Sequence, residues 1–195
     1  AGATDLRFVQ DGGGWLVVTK PRPAGMDDWT HATHGPDGNP VSGDRLLTAP
    51  NQLQWIAGPS WRVRRSDAGP AAVHPGGMLS ADGRNFYRQG RNLIARCSFN
   101  GVLLWVQPIP PRLSMRQIVA VGDKVYLCRE DKIVALDAAT GAESVSYAAP
   151  GCSQLLLEGG VLVAASSRGI VAFDAATGQQ KWKSPVRAGK IVAEV

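Results

Sequence analysis

The sequence has no stretch of about 15 residues with clean helical periodicity, which argues against an α-helical fold. No apolar run approaches the roughly 20 residues that a membrane-spanning helix needs. The N-terminal sequence AGATDLRFVQ lacks a basic region followed by an apolar one, so we expect no signal peptide in this stretch. We therefore expect neither a helical bundle nor a transmembrane helix in this chain.

Cysteine is scarce. The chain has only Cys97, Cys128 and Cys152, and no two of them are close in sequence. This spacing excludes a CxxC metal or redox motif. Buried free thiols are the first interpretation, and a disulfide between Cys128 and Cys152 is the alternative if the compartment is oxidising.

Strong charge of either sign is also missing. The net charge is +5 and the sequence pI is near 9.4, which gives only a mild attraction for anionic partners. The densest basic cluster is Arg62, Arg64 and Arg65, and aromatic residues are not interleaved with it. We expect a solvated loop there and no nucleic-acid partner.

A short unit recurs in the second half of the chain. Residues 169–185 read GIVAFDAATGQQKWKSP, which predicts a strand, a tight turn and a second strand. Asp174 can accept backbone N–H groups in this turn, and Gly178 tolerates the positive φ that it needs. Equivalent glycines are Gly101 and Gly141, and the three lie 40 and 37 residues apart. Each unit follows another predicted strand pair, so one repeat has about four antiparallel strands.

Tryptophan follows the same period. Trp15, Trp55, Trp105, Val145 and Trp182 are 40, 50, 40 and 37 residues apart, and the longer interval fits an insertion around residues 56–76. Packing between adjacent repeats best explains tryptophan at this position. A period of about 40 residues with four strands predicts an all-β fold, a β-propeller of four-stranded antiparallel blades. We expect about four to five blades in one domain over residues 1–195. The clear repeats are 78–107, 118–147 and 155–183, and residues 1–77 form an atypical blade with a long loop.

The long loop, residues 25–50, is the least repetitive part of the chain. His31 and His34, together with Asp28, have side chains that bind transition metals, so a metal site is one hypothesis. The sequence from Asp37 to Asn39 faintly resembles a calcium loop. The alternative is a structural loop whose polar side chains satisfy its own backbone.

The turn sequences resemble those of the quinoprotein, or PQQ-like, β-propeller family, whose repeats carry the pattern A-x-D-x-x-T-G-x-x-x-W. The matching residues of the last repeat are Ala172, Asp174, Thr177, Gly178 and Trp182. Those of the middle repeat are Ala135, Asp137, Thr140 and Gly141, with Val145 in place of tryptophan. Those of the first repeat are Ala95, Gly101 and Trp105, while Cys97 and Asn100 depart from the pattern. The stretch GMDDWTHATHGPDGN, followed by LQW, is similar to uncharacterised propeller proteins of Planctomycete-type bacteria.

This resemblance implies a propeller of up to eight blades in a periplasmic or other extracytoplasmic compartment. Dehydrogenases of the family bind pyrroloquinoline quinone (PQQ) and Ca²⁺ and typically have two adjacent cysteines, which this chain lacks. No aspartate matches a catalytic motif, so no catalytic residue is carried over.

Three functions follow as hypotheses. The first is a non-catalytic binding or scaffold module, whose partner is another protein or the remaining blades of the propeller, in a second chain or in further sequence. The second is a PQQ- and Ca²⁺-dependent alcohol or sugar oxidoreductase, or a piece of one. The third is a metal site at His31 and His34.

Overall fold

The computed structural model describes residues 4–19, 21–46, 53 and 77–186. The chain divides into two compact units. The first comprises Ala1–Asp27 and Gly43–Ala49, and the second comprises Asp28–Ser42 and Pro50–Val195.

The first unit contains an antiparallel hairpin. Its strands are β1 (Thr4–Gln10) and β2 (Gly14–Thr19), and a glycine-rich turn joins the two apolar runs. Gly12 takes a φ of 60° in the turn, and the Trp15 indole N–H donates to the backbone carbonyl of Asp11 at 3.0 Å.

Residues 77–186 of the second unit form three four-stranded antiparallel sheets, each in simple sequential order. Blade 1 consists of β3 (Met78–Ala81), β4 (Arg84–Gln89), β5 (Asn92–Cys97) and β6 (Leu103–Pro108). Blade 2 consists of β7 (Ile118–Val121), β8 (Lys124–Arg129), β9 (Lys132–Asp137) and β10 (Glu143–Ala148). Blade 3 consists of β11 (Cys152–Glu158), β12 (Val161–Ser166), β13 (Gly169–Asp174) and β14 (Gln180–Ser184). One 3₁₀ turn, Met115–Gln117, precedes β7. The predicted all-β fold with four-stranded blades is confirmed, and these blades form part of a propeller.

Two-residue turns join the first two strands of every blade. They are Asp82-Gly83, Gly122-Asp123 and Gly159-Gly160, as predicted. In each blade, the turn between the third and fourth strands lies beside the turn between the first and second strands. The N–H groups of Ser98, Ala138 and Ala175 in the former donate to backbone carbonyls of the latter. We call this side of the three blades the turn edge.

The core is one continuous apolar cluster that runs through the three blades. Consecutive residues of the middle strands are buried, such as 125–128 of β8 and 133–136 of β9, so both faces of these strands are covered. Leu79, Phe86, Ile118, Leu136 and Leu162 are fully buried in the core. The first strands also meet one another, since β3 contacts β7 and β7 contacts β11. These first strands are therefore the inner strands of the propeller.

A disulfide links blade 2 to blade 3. Cys128, near the end of β8, is bonded to Cys152 at the start of β11, with a Cα–Cα distance of 6.1 Å. The interpretation of buried free thiols is therefore wrong for these two residues. Cys97 is a free thiol, but it is half-buried, whereas the interpretation predicted a buried side chain.

Several sequence predictions lie outside the described residues. They concern Trp55, the arginine cluster at 62–65 and residues 191–195, whose sequence IVAEV predicts a further strand. The count of four to five blades and the single domain over 1–195 stay predictions. Within the described residues, no helix has the length and apolar character required to cross a membrane.

Candidate functional site

Three consecutive residues of the long loop bind the inner strands of three different blades. Trp29 exchanges two backbone hydrogen bonds with Ser80 of β3, at 2.7 and 2.9 Å. The carbonyl of Thr30 accepts from the Ala120 N–H of β7 at 2.9 Å. The His31 imidazole accepts a hydrogen bond from the backbone N–H of Leu157 in β11.

Each inner strand pairs with one neighbour in its own sheet, and these bonds go to its other, free edge. An uncovered strand edge costs hydrogen bonds and invites another chain, so covering it stabilises the blade. We call residues 28–34 the edge segment. Its bonds place one residue on each blade, which the sequence did not indicate.

The His31 side chain is buried at the third of these contacts and is 4% exposed. Its Nε2 accepts the Leu157 N–H at 3.1 Å, so its proton sits on Nδ1, which lies 2.7 Å from the Thr30 hydroxyl. That hydroxyl in turn donates to the His34 carbonyl at 3.2 Å. Burial is the largest influence and lowers the pKa of His31 to about 4; Asp37 raises it and His34 lowers it. Both ring nitrogens of the neutral side chain therefore serve the fold.

The structure brings His31 and His34 together through a backbone bridge, in which the His31 N–H donates to the His34 carbonyl at 2.9 Å. His34 has a φ of 69°, and its ring packs edge-on against Trp29 with centroids 5.2 Å apart. Asp28 is used elsewhere, since its Oδ1 accepts the Asp82 N–H at 3.2 Å. No group of three His, Cys, Asp or Glu that would hold a metal occurs among the described residues. The metal site stays a prediction, and equilibrium dialysis of the chain against zinc, with and without His31→Gln, tests it.

The rest of the loop bonds to itself. The carboxylate of Asp37 accepts the Asn39 N–H at 3.1 Å, and the Asn39 side chain accepts the Val41 N–H at 3.2 Å. Short polar side chains commonly hold turns in this way. These contacts match the structural-loop interpretation of this part of the sequence.

The repeated turn of blade 2 is built by Asp137. One carboxylate oxygen accepts from the N–H groups of Ala139 and Thr140 and from the Thr140 hydroxyl, at 2.8 to 3.1 Å. The hydrogen bonds from the hydroxyl and N–H of Thr140 lower the pKa of Asp137. Gly141 completes the turn with a φ of 73°. The carboxylate therefore holds the backbone of this turn in place.

Trp105 of blade 1 docks onto this turn. Its indole N–H donates to the Ala138 carbonyl at 2.9 Å, and it is only 7% exposed. A Cβ on Gly141 would lie 2.9 Å from the indole, so only glycine allows this approach. The glycine of the repeat thus serves the turn and also the seam between two blades, and the predicted packing of tryptophan between blades is observed here.

The seam between blades 2 and 3 is built differently. The turn is the same, since Asp174 accepts from the N–H and hydroxyl of Thr177 at 2.9 and 3.0 Å and has a lowered pKa for that reason. The carbonyl of Ala175, however, accepts from the Tyr147 hydroxyl at 2.6 Å. Val145 occupies the tryptophan position.

The role of Tyr147 was missed by the sequence reasoning. A signal existed, because Gln107 holds the same place in blade 1 and also donates across its seam, to the Gly141 carbonyl at 2.8 Å. The residue two positions after the tryptophan therefore bonds to the next blade in both seams. Trp182 holds the tryptophan position of blade 3 and is 47% exposed. No fourth blade lies within residues 77–186.

Blades of four antiparallel strands, joined through this repeated turn, define a β-propeller of the PQQ-like repeat class. Residues 90–193, just over half of the chain, match the family model described as outer membrane protein assembly factor BamB. The chain belongs to this family. No curated protein matches this chain.

Solved structures resemble part of the chain. BamB from Moraxella catarrhalis is 26% identical, over 53% of this chain and 34% of that chain, with a TM-score of 0.45. A europium-containing methanol dehydrogenase is 15% identical, over 55% of this chain and 24% of that chain, with a TM-score of 0.45. The quinohemoprotein alcohol dehydrogenase ADHIIG from Pseudomonas putida HK5 is 18% identical, over 54% and 19%, with a TM-score of 0.42. The chain therefore spans about a third or less of the length of each protein. None of these matches tests the similarity to Planctomycete-type proteins, which stays a prediction.

Proposed function

We propose that this chain is an extracytoplasmic binding or scaffold module whose turn edge recognises another protein or polymer. The observation that carries the proposal is the edge segment. Its backbone and the His31 side chain form hydrogen bonds with the free edges of the inner strands. The chain itself therefore occupies these edges, and they are not open to a partner. Exposed polar groups at the turn edge include the carboxylates of Asp82 and Asp123, and turns are where binding residues commonly sit.

The compartment is inferred from the covalent structure and the family. The Cys128–Cys152 disulfide is of a kind that persists in oxidising surroundings such as the periplasm. Membership of a family described as an outer membrane assembly factor supports the same location. Expression in the periplasm and in the cytosol, followed by thiol labelling, tests it. Both side chains are buried, so the label is applied after unfolding in denaturant, and Cys128 and Cys152 should then resist it only in the periplasmic chain.

The partner is tested by exchanging the outer part of the long loop. Residues 36–42 are replaced by a Gly/Ser sequence of equal length, which leaves the edge segment and its bonds to three blades in place. The control variant exchanges the Glu130-Asp131 turn, which joins β8 to β9 on the opposite edge. A partner captured by the native chain and the control, but lost with the loop variant, supports the proposal. Equal capture by all three chains, or none by the native chain, would contradict it.

The remaining blades are the second partner that we infer. Trp105 is 7% exposed because a following blade covers it, whereas Trp182 is 47% exposed in the equivalent place. A further D-x-x-T-G turn, from a second copy or from additional sequence, would cover Trp182 in the same way. Light scattering of the chain against a Trp182→Ser variant tests this. Association should weaken in the variant, and an identical mass distribution would count against it.

PQQ with Ca²⁺ remains the alternative that the resemblance suggests. The described residues do not fit the group, because the inner strands bond to the edge segment and no three candidate ligands converge. The sequence also has no adjacent cysteine pair. A titration with PQQ, with and without Ca²⁺ and followed by tryptophan fluorescence, separates the alternatives. Saturable, calcium-dependent quenching at a stoichiometric ratio would favour the oxidoreductase over the binding module.

A further inference from the structure

A cavity of about 180 Å³ lies between blades 2 and 3, at the edge of the blades opposite the turn edge. Ala164 of β12 and Val171 of β13 form its wall on blade 3. Ala149 and Pro150 line it from the segment that connects β10 to β11. Blades of the same design pack alike, so the origin of this cavity can be read from the residues at equivalent positions of the seam between blades 1 and 2.

A small side chain in β12 opens the seam. Strand pairing places Ala164 opposite Val171 in blade 3, in the register that Leu127 keeps with Val134 in blade 2. Leu127 and Val134 are 0% and 1% exposed, because the preceding seam is filled around them. Val171 is half-buried, although it holds the same place as Val134. The exchange of leucine for alanine therefore uncovers apolar surface on the wall of the cavity.

Two further exchanges enlarge the cavity. Ile109 and Ala149 are equivalent, since the N–H of each donates to a backbone carbonyl in the turn between the second and third strands of its blade. Arg129 reaches across its seam to the Pro108 carbonyl at 3.1 Å, whereas Ser166, in the same register, bonds within its own blade. Alanine and serine thus replace two larger side chains, and the cavity occupies their place.

The mouth of the cavity carries positive charge. Arg168, in the turn between β12 and β13, and Lys183 of β14 both line it, and Gln180 adds a neutral amide. None of the described residues that line it is acidic, and neither cation takes part in an ion pair within residues 77–186. Blade 2 has Ser146 and Asp131 at the positions of Lys183 and Arg168, so both cations are particular to this seam. An anion bound there would form charge-assisted hydrogen bonds.

The size and the walls of the cavity narrow the ligand. An apolar cavity of about 150 Å³ accommodates benzene, so a volume of about 180 Å³ suits a single six-membered ring and not a chain of residues. A ring would cover the apolar wall at Ala164 and Val171, which an inorganic anion would leave exposed. A neutral ring would leave Arg168 and Lys183 without a counter-charge. A carboxylate on a ring satisfies both, and its two oxygens match the fork of a guanidinium group.

We propose that this cavity binds a free monocarboxylate with a compact apolar body of about six carbons, of which benzoate is the simplest aromatic example. The ring lies against Ala164 and Val171, and the carboxylate lies between Arg168 and Lys183. The inference does not depend on the turn edge as a partner site, because the cavity is at the opposite edge and its test measures small-molecule binding alone.

Calorimetric titration of the whole chain with sodium benzoate tests the role of charge. Benzamide has the same ring without the charge, so it should bind roughly tenfold more weakly. Arg168→Gln combined with Lys183→Gln should reduce benzoate binding to the level of benzamide and leave benzamide unchanged, and both side chains are exposed, so this variant should fold. The matched control, Arg91→Gln with Lys132→Gln, removes the same charge at the preceding seam. It should keep the native affinity within about twofold at about 0.15 M salt, where distant charges are screened.

A second variant tests the role of the space. Ala164→Leu restores the leucine that blade 2 has at this place, so it should weaken the binding of both benzoate and benzamide at least roughly tenfold while melting at or above the native temperature. Unchanged binding in the folded variant would place the ligand elsewhere and overturn the inference. So would the absence of saturable benzoate binding below about 10 mM, equal binding of benzoate and benzamide to the native chain, or native benzoate binding in the double glutamine variant. Should Ala164→Leu fail to fold, these last three results decide.

Discussion

Acidification should destabilise this chain through His31, because folding holds that imidazole neutral. Burial is the main cause that lowers the pKa of His31 from 6.5 to about 4. A pKa lowered by folding means that the unfolded chain binds more protons between these two values. The stabilising contribution of neutral His31 is therefore complete above about pH 7 and is lost progressively toward about pH 4.

The magnitude follows from the two pKa values. One pKa unit corresponds to about 1.4 kcal/mol, so the whole interval contributes at most roughly 3 kcal/mol. Between about pH 7.5 and about pH 4.5 the linkage relation gives about 2.5 kcal/mol. The structural cause is direct. Protonated Nε2 becomes a donor that faces the Leu157 N–H, another donor, 3.1 Å away.

Urea unfolding of the native chain and of His31→Gln measures this contribution. Glutamine does not titrate, and its amide oxygen can accept the Leu157 N–H in place of Nε2. The difference in unfolding free energy between the two chains should change by about 2.5 kcal/mol over the same pH range, with the native chain losing more on acidification. Carboxylates such as Asp137 and Asp174 titrate in both chains, so they cancel in the difference.

If the unfolding free energies of the native chain and of His31→Gln changed in parallel with pH, the proposed role of His31 would be refuted. Amide hydrogen exchange gives an independent check at the bond itself. After correction for intrinsic rates, the Leu157 N–H should lose protection in acid. The Ala120 N–H, which donates to the backbone carbonyl of Thr30, should keep it. Equal losses at both sites would show that the whole edge segment, and not His31, responds to acid.

Two further predictions concern the seams between blades. Gly141→Ala should destabilise the chain by roughly 2–4 kcal/mol in urea unfolding, because its Cβ would meet Trp105 in addition to the strain of positive φ. Gly122→Ala, which has positive φ but nothing within 4 Å, should lose only roughly 1–2 kcal/mol; equal losses would contradict the docking argument. Breaking the Cys128–Cys152 disulfide, whose residues are 24 apart in sequence, should cost roughly 3–4 kcal/mol through loop entropy. A reductant should lower the thermal midpoint of the native chain and leave that of a double serine variant unchanged.

The strands and turns of the blades were predictable because their causes are local. Asp174 and Gly178 make the turn with bonds that span three or four residues, so the sequence pattern alone reveals it. The recurrence of that pattern every 40 residues or so then predicts a radial repeat. The packing of Trp105 between blades was predictable for the same reason, since its phase relative to the glycine is constant.

The edge segment and the seams were decided only by the tertiary structure. His31 bonds to Leu157 across 126 residues, and no local pattern indicates which strand edge a loop residue will meet. The substitution of Val145 for tryptophan was visible in the sequence. Its effect on the seam depends on Tyr147, whose hydroxyl reaches the Ala175 carbonyl only when blade 3 lies beside blade 2. The sequence by itself determined the blade. The blades and loop residues that pack against each blade on folding then decide which of its polar groups remain available for binding.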